Sequence, residues 1–172
     1  MQLAVKATEY AKVMHILQKR KYTHAPYFEH IAAVQNILDE WGYGEHENIM
    51  AAAALHDVVE DVDVPLSEIR REFGDEIAEL VWWLTDFPTG NKVGNRDSRT
   101  LASAWRLARA PWEAMVIKAA DIADNTKDIL AHDAKFAAVY LPEKARLLDM
   151  MVKNCTEFRV MCLLDKVREG LK

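Results

Sequence analysis

Apolar residues return every three or four positions along almost the whole chain, and nowhere do they alternate convincingly with a period of two. That spacing places side chains on one face of an α-helix and argues against half-buried strands, so the core must be built from helices. Tyr10, Val13, Met14 and Leu17 predict a first helix over residues 5–20. Ile31, Val34, Leu38 and Trp41 mark a second, ended by Gly42 and Gly44. A third runs from about Glu47 to Asp61 and begins on an alanine-rich stretch, Met50 to Ala54, whose small side chains let neighbouring helices approach closely. Pro65 suits the first turn of a fourth, because that turn has no use for the missing N–H, and Gly74 stops it. Asp75 is the expected N-cap of a fifth, with Ile77, Leu80, Val81 and Leu84 on its inner face and Trp82 and Trp83 beside them as core anchors. Residues 86–97 hold Pro88, Gly90 and Gly94 and read as a surface loop. Ser98 to Arg109 and Pro111 to about Leu130 are two further helices. Glu143 to Arg168 reads as one long helix with Leu147, Leu148, Met151, Val152, Cys155, Phe158 and Cys162 inward. The expected fold class is all-α, a compact helical bundle forming one domain over residues 1–172.

Composition narrows what such a bundle can do. A chain of 172 residues with 51% hydrophobic and 28% charged residues is globular rather than disordered. Its net charge of −5 argues against bulk nucleic-acid binding, which leaves a basic footprint. No apolar run approaches the roughly 18 residues of a membrane span, and residues 1–20 lack the layout of a secretory signal. Cys155 and Cys162, seven apart on one predicted helix, would lie about 10 Å from each other, too far for a disulfide. They read as reduced core thiols, and the expected location is the cytoplasm.

The chemistry concentrates in three places. Within Leu55-His56-Asp57-Val58-Val59-Glu60-Asp61-Val62-Asp63, a continuous helix would set His56, Asp57, Glu60 and Asp61 on one arc of about 140°. An imidazole beside a carboxylate can ligate a metal, and acids one turn on can serve as acid and base. In Lys118-Ala119-Ala120-Asp121-Ile122-Ala123-Asp124-Asn125-Thr126-Lys127-Asp128, residues Asp121, Asn125 and Asp128 share a helical face. Asp121 follows a mostly apolar stretch, and a carboxylate buried there wants a cation or donors. His30, in Pro26-Tyr27-Phe28-Glu29-His30, is the third element. Two imidazoles and two carboxylates without a thiolate suit Mn²⁺, Fe²⁺ or Zn²⁺ and exclude a thiol-rich structural zinc.

His30, then His56-Asp57, then Asp121 resemble the H…HD…D signature of HD-domain metal phosphohydrolases. Ala54 to Val64 is similar to the HD…ED segment of the RelA/SpoT hydrolase domain, and Ile69 to Val81 to its next helix pair. Ile117-Lys118-Ala119-Ala120-Asp121-Ile122-Ala123-Asp124-Asn125 resembles its K-L-A-D-x-x-x-N motif, and Arg20-Lys21 ahead of Pro26-Tyr27-x-x-His30 its substrate-facing segment. The chain departs from the pattern at Ile31, where proline is usual, and at Ile122, where a basic residue is usual. The resemblance spans about residues 5–150 and implies a stand-alone small alarmone hydrolase. It implies that His30, His56, Asp57 and Asp121 hold one divalent ion, Mn²⁺ in the first instance. It further implies that Glu60 and Asp61 act as acid and base on water and the leaving group. Arg20 or Lys21 would meet the base of a nucleotide and Asn125 its ribose, with Asp128 assisting. The substrate implied is a nucleoside 3′-pyrophosphate such as (p)ppGpp, cleaved to GDP or GTP and pyrophosphate.

Such a substrate needs local positive charge. Residues 91–109 carry Lys92, Arg96, Arg99, Arg106 and Arg109 against Asp97 alone, and Arg96 and Arg99 could grip phosphate from one helix end. His15, His24, His46 and His132 match no motif and are assigned no role. An HD-domain nucleotidase acting on dNTPs, nucleoside monophosphates or ppApp shares the same metal set. A regulatory module with a degenerate site is the non-enzymatic alternative. Neither nucleic acid nor membrane is an expected partner, and homo-oligomerisation stays open.

Overall fold

The structure, a computed structural model, describes residues 2–86 and 96–171. Among them are ten helices: α1 (Gln2–Met14), α2 (Phe28–Glu40), α3 (Glu47–Leu55), α4 (Val58–Asp61), α5 (Leu66–Phe73), α6 (Asp75–Leu84), α7 (Arg96–Leu107), α8 (Trp112–His132), α9 (Ala134–Asn154) and α10 (Phe158–Glu169). Among the described residues, Lys19 and Pro26 form an isolated antiparallel β-bridge. The fold is all-helical, as the period predicts. By contact it divides into two units, Met1–Thr85 and Asp86–Lys172.

In the first unit α3 is the central element, packed by α1, α2 and α6. Alanines let α1 and α3 pack closely: Ala7 and Ala11 of α1 and Ala51 to Ala54 of α3 are wholly buried. This corrects the expected first helix. It ends at Met14, and Val13 and Leu17, predicted inward, are 59% and 92% exposed. A helix that meets an alanine-rich partner gains by close backbone approach, so its buried face is the one with small side chains. α2 closes at Gly42, whose φ of 83° costs glycine nothing. The Gly42 N–H then donates to the Asp39 carbonyl (2.8 Å) and the Tyr43 N–H to that of Leu38 (2.9 Å). Gly74, at φ 90°, holds the N-cap position expected for Asp75, which is already in α6. α6 buries Ile77, Ala78, Leu80, Val81 and Leu84, each large side chain stabilising by about 2 kcal/mol. With that face filled, Trp82 is 37% exposed and Trp83 half-buried. They pack edge to face on each other, centroids 4.8 Å apart, with Trp82 the more exposed of the two.

In the second unit α8 packs against α9 and α10, and α9 also meets α7 and α10. The expected long C-terminal helix is two helices. α9 starts at Ala134, where the Asp133 carboxylate accepts the Phe136 N–H at 3.0 Å, and it carries Pro142 in its interior. It stops at Asn154, and the Glu157 side chain caps the start of α10 by accepting from the Arg159 N–H. The restart turns Val160 and Leu164 inward and leaves Phe158 72% exposed. Cys155 is half-buried and Cys162 exposed, both as free thiols, so neither is a core residue. No helix among the described residues is long and apolar enough to cross a membrane.

Candidate metal centre

The predicted helix over Glu47 to Asp61 is broken at its chemical residues. α3 stops at Leu55, His56 and Asp57 form a turn, and α4 resumes at Val58. Asp57 sits at φ −105°, ψ −4°, the sparsely populated bridge region that active-site residues often occupy. On an unbroken helix neighbouring side chains diverge by about 100° and do not face each other. The break replaces the expected arc: His56 Nε2 comes within 2.9 Å of Asp57 Oδ2. His30, from the first turn of α2, adds a third donor, its Nε2 3.3 Å from His56 Nε2 and 3.7 Å from Asp57 Oδ2. Both imidazoles are buried.

The tautomer of His56 decides what these atoms can hold. Its Nδ1 lies 2.8 Å from the Ala53 carbonyl oxygen. A carbonyl only accepts, so Nδ1 carries the hydrogen and the neutral ring presents a bare lone pair at Nε2. That lone pair faces a carboxylate oxygen and a second ring nitrogen in a buried setting, an arrangement that calls for a cation. Donors about 2.1 Å from one ion and at right angles to each other stand roughly 3 Å apart, close to the observed spacing. With no thiolate in the set, the chemistry suits a hard or borderline divalent ion. Tyr27 Oη donates to Asp57 Oδ2 at 2.5 Å and fixes that carboxylate. Sequence reasoning gave Tyr27 no role of its own, although its place three residues ahead of His30 was the available signal.

In the second unit Asp121 is buried on α8. Lys118 Nζ lies 2.8 Å from its Oδ2, and Asn125 Nδ2 donates to its Oδ1 at 2.5 Å. One helical face therefore clamps both carboxylate oxygens. Asp124 is buried and Asp128 half-buried on the same helix. Lys144 on α9, absent from the sequence reading because no motif covers it, is half-buried with its ammonium 5.3 Å from the Tyr140 ring centroid. Burial, followed by repulsion from Lys118, holds its pKa below the ordinary lysine value against the pull of Asp121 and Asp86.

Glu60 and Asp61 are both exposed on α4. Arg20 is buried, with its backbone N–H donating to the Ala25 carbonyl at 2.9 Å, in the loop closed by the Lys19–Pro26 bridge. Lys21 is exposed, and its Nζ donates to Tyr22 Oη at 3.1 Å. Lys92 and the side chains of Arg96 and Arg99 lie outside the described residues. Arg106 pairs with Asp86 (3.4 Å), and Arg109 donates to the Trp105 carbonyl (3.1 Å) and lies over its ring. His24, His46 and His132 are exposed, whereas His15 is buried.

The pattern of the HD domain matches residues 7–134. The guanosine-3′,5′-bis(diphosphate) 3′-pyrophosphohydrolase MESH1 of Drosophila melanogaster is 33% identical over 122 residues, which is 70% of this chain and 66% of that protein. The guanosine-3′,5′-bis(diphosphate) 3′-pyrophosphohydrolase of Aquifex aeolicus is 45% identical over 80 residues, 46% of this chain but 11% of that one. The chain thus spans just under two thirds of the fly protein and a small part of the bacterial one. A solved structure of a metazoan orthologue of SpoT that hydrolyses ppGpp and plays a role in starvation responses superposes with a TM-score of 0.82 at 26% identity, covering 100% of this chain and 98% of that one.

Proposed function

The chain belongs to the HD-domain family, and on that footing we propose that it is a divalent-metal phosphohydrolase that removes the 3′-pyrophosphate of (p)ppGpp as a single hydrolase domain over residues 1–172. The observation that carries the reading is the meeting of His56 Nε2 with the Asp57 carboxylate at 2.9 Å and with His30 Nε2 at 3.3 Å. The relatives named for this reaction support the choice of substrate.

His30, His56 and Asp57 would hold the ion, with Asp121, oriented by Lys118 and Asn125, as the fourth ligand. Mn²⁺ is the proposed ion, since two imidazoles and two carboxylates without a thiolate suit a hard or borderline divalent cation. When bound, the ion lowers the pKa of water and polarises the phosphoryl group. Glu60 and Asp61 manage protons: one takes the hydrogen of the attacking water, the other supplies one to the departing 3′-oxygen. Water adds to the phosphorus linked to the 3′-oxygen, that P–O bond breaks, and GDP or GTP leaves with pyrophosphate. Arg20, Lys21 and Asn125 contact the nucleoside, while Lys92, Arg96, Arg99 and Asp128 complete the substrate contacts. The enzyme works in the cytoplasm on this reading.

A panel of ppGpp, pppGpp, ppApp, dGTP and nucleoside monophosphates, incubated with Mn²⁺ and resolved by anion exchange, tests the assignment. Pyrophosphate from ppGpp without tripolyphosphate from dGTP is the expected result. Cleavage of dGTP or a monophosphate in preference to ppGpp overturns it. EDTA should abolish turnover, and added Mn²⁺ should restore it. Lys144, the desolvated cation of the second unit, should help hold phosphate. Lys144→Ala should raise KM about tenfold, the worth of one charged hydrogen bond, and leave kcat within about twofold. Steady-state kinetics on ppGpp check this.

A further inference from the structure

Two polar residues that the mechanism leaves unused end on one of its acids. The backbone ties down the segment after α1: His15 N–H donates to the Ala11 carbonyl (2.9 Å), Gln18 N–H to that of His15 (2.9 Å), and Tyr27 N–H to that of Gln18 (3.0 Å). From this turn Gln18 Nε2 donates to Asp61 Oδ2 at 2.8 Å, and Gln18 Oε1 lies 2.5 Å from His15 Nδ1. His15 is 2% exposed and stacks on the Tyr27 ring, centroids 4.9 Å apart at 30°.

The direction of this chain follows from chemistry. An ionised carboxylate only accepts, so the amide nitrogen of Gln18 must face Asp61 and its oxygen must face His15. The hydrogen of a neutral His15 is therefore on Nδ1. The remaining ring nitrogen, Nε2, is buried and has no hydrogen-bond partner. Leaving a buried acceptor unmet costs stability, and the protein tolerates it at a residue whose other nitrogen holds the Gln18 amide that meets the proposed catalytic acid. The Tyr27 ring beneath His15 belongs to the side chain whose hydroxyl fixes Asp57. One buried imidazole thus backs the hydrogen bonds to both Asp61 and Asp57.

We propose that His15 and Gln18 are positioning residues for the hydrolysis: the chain His15 Nδ1–H to Gln18 to Asp61 locks one oxygen of Asp61 and makes Asp61, rather than Glu60, the member of the pair that accepts the proton of water. This rests on the hydrolase reading above. Asp61 Oδ2 is occupied by the Gln18 amide, which leaves Oδ1 for the proton and holds the carboxylate at one angle.

Gln18→Leu should lower kcat on ppGpp about ten- to a hundredfold, the usual cost of losing an outer partner, with KM within about twofold and bound metal unchanged. Gln18→Glu, which sets an acceptor against Asp61, should lose at least as much. His15→Phe keeps the stack but loses the donor and should match Gln18→Leu. His15→Asn presents an N–H where Nδ1 stood and should restore most of that loss. In the double variant with Asp61→Asn, Gln18→Leu should cost nothing further. Unchanged kcat in Gln18→Leu, a rise in KM alone, loss of metal or a collapsed melting temperature in both His15→Asn and Gln18→Leu, or failure of His15→Asn to exceed His15→Phe each overturns the proposal. A second readout needs no turnover. Long-range ¹H–¹⁵N spectra of the metal-free protein should show His15 as the Nδ1–H tautomer, and an Nε2–H tautomer overturns the chain. If the wild type cleaves no nucleotide in the panel, the hydrolase reading fails, and the spectra still decide whether the chain exists.

Discussion

Replacing His56 with alanine should strip the metal and lower ppGpp hydrolysis by at least about a thousandfold, or roughly 4 kcal/mol of transition-state stabilisation. His56 is the middle donor of the three that the first unit brings together, 2.9 Å from Asp57 and 3.3 Å from His30. Its Nδ1 donates to the Ala53 carbonyl, which turns Nε2 toward the Asp57 carboxylate and His30. Without it, two donors remain in that unit, and the Asp57 carboxylate loses the neighbour with which it would share the proposed ion. The residue lies in a turn between helices, so truncation leaves α3 and α4 intact and the far-ultraviolet dichroism should not change. Turnover with excess Mn²⁺, together with metal content by mass spectrometry after gel filtration, reads both effects. Full metal content with turnover within tenfold of wild type would remove the basis for the proposed centre.

The second large effect separates chemistry from metal binding. Glu60→Gln should keep the ion and lose about a hundred- to ten-thousandfold in kcat, the range of a general acid or base. Glutamine preserves the size of the side chain but cannot carry or take the proton. Glu60 is exposed on α4, where a substitution of this kind shifts stability by only about 0.5 kcal/mol. A fall in turnover at constant metal content and constant melting temperature is therefore a chemical loss. Turnover equal to wild type rejects the role given to Glu60.

Helical periodicity carried most of the architecture, because each buried stripe of α2 and α6 repeats over several turns. The errors fall where a local polar contact decides the outcome. Nothing in Leu55-His56-Asp57-Val58 announces a break: it holds no glycine or proline, and the turn falls where His56, Asp57 and His30 meet. Glu157 caps α10 where the apolar pattern continues past it, so two helices read as one, and Asp133 caps α9 well ahead of the expected start at Glu143. α1 misleads in another way. Its wholly buried residues are Ala7 and Ala11, while Val5 and Val13 face outward. In the candidate centre, His30, His56 and Asp57 were legible as ligand types, and Asn125 as a neighbour one turn beyond Asp121. Tyr27, Gln18 and His15 were not, since their place depends on a loop pinned by backbone hydrogen bonds rather than on helical spacing.

The alanine seam between α1 and α3 has a consequence for how this chain can vary. Alanines have no rotamers, so a bulkier side chain at Ala52 or Ala53 finds no neighbour able to swing aside, and the strain passes to the main chain. α3 is a rigid rod with His56 at its far tip, so a small shift at the seam becomes a displacement at the tip. Adaptive change in this half of the molecule is thereby steered to outward positions such as Val13 and Leu17, where added bulk moves nothing.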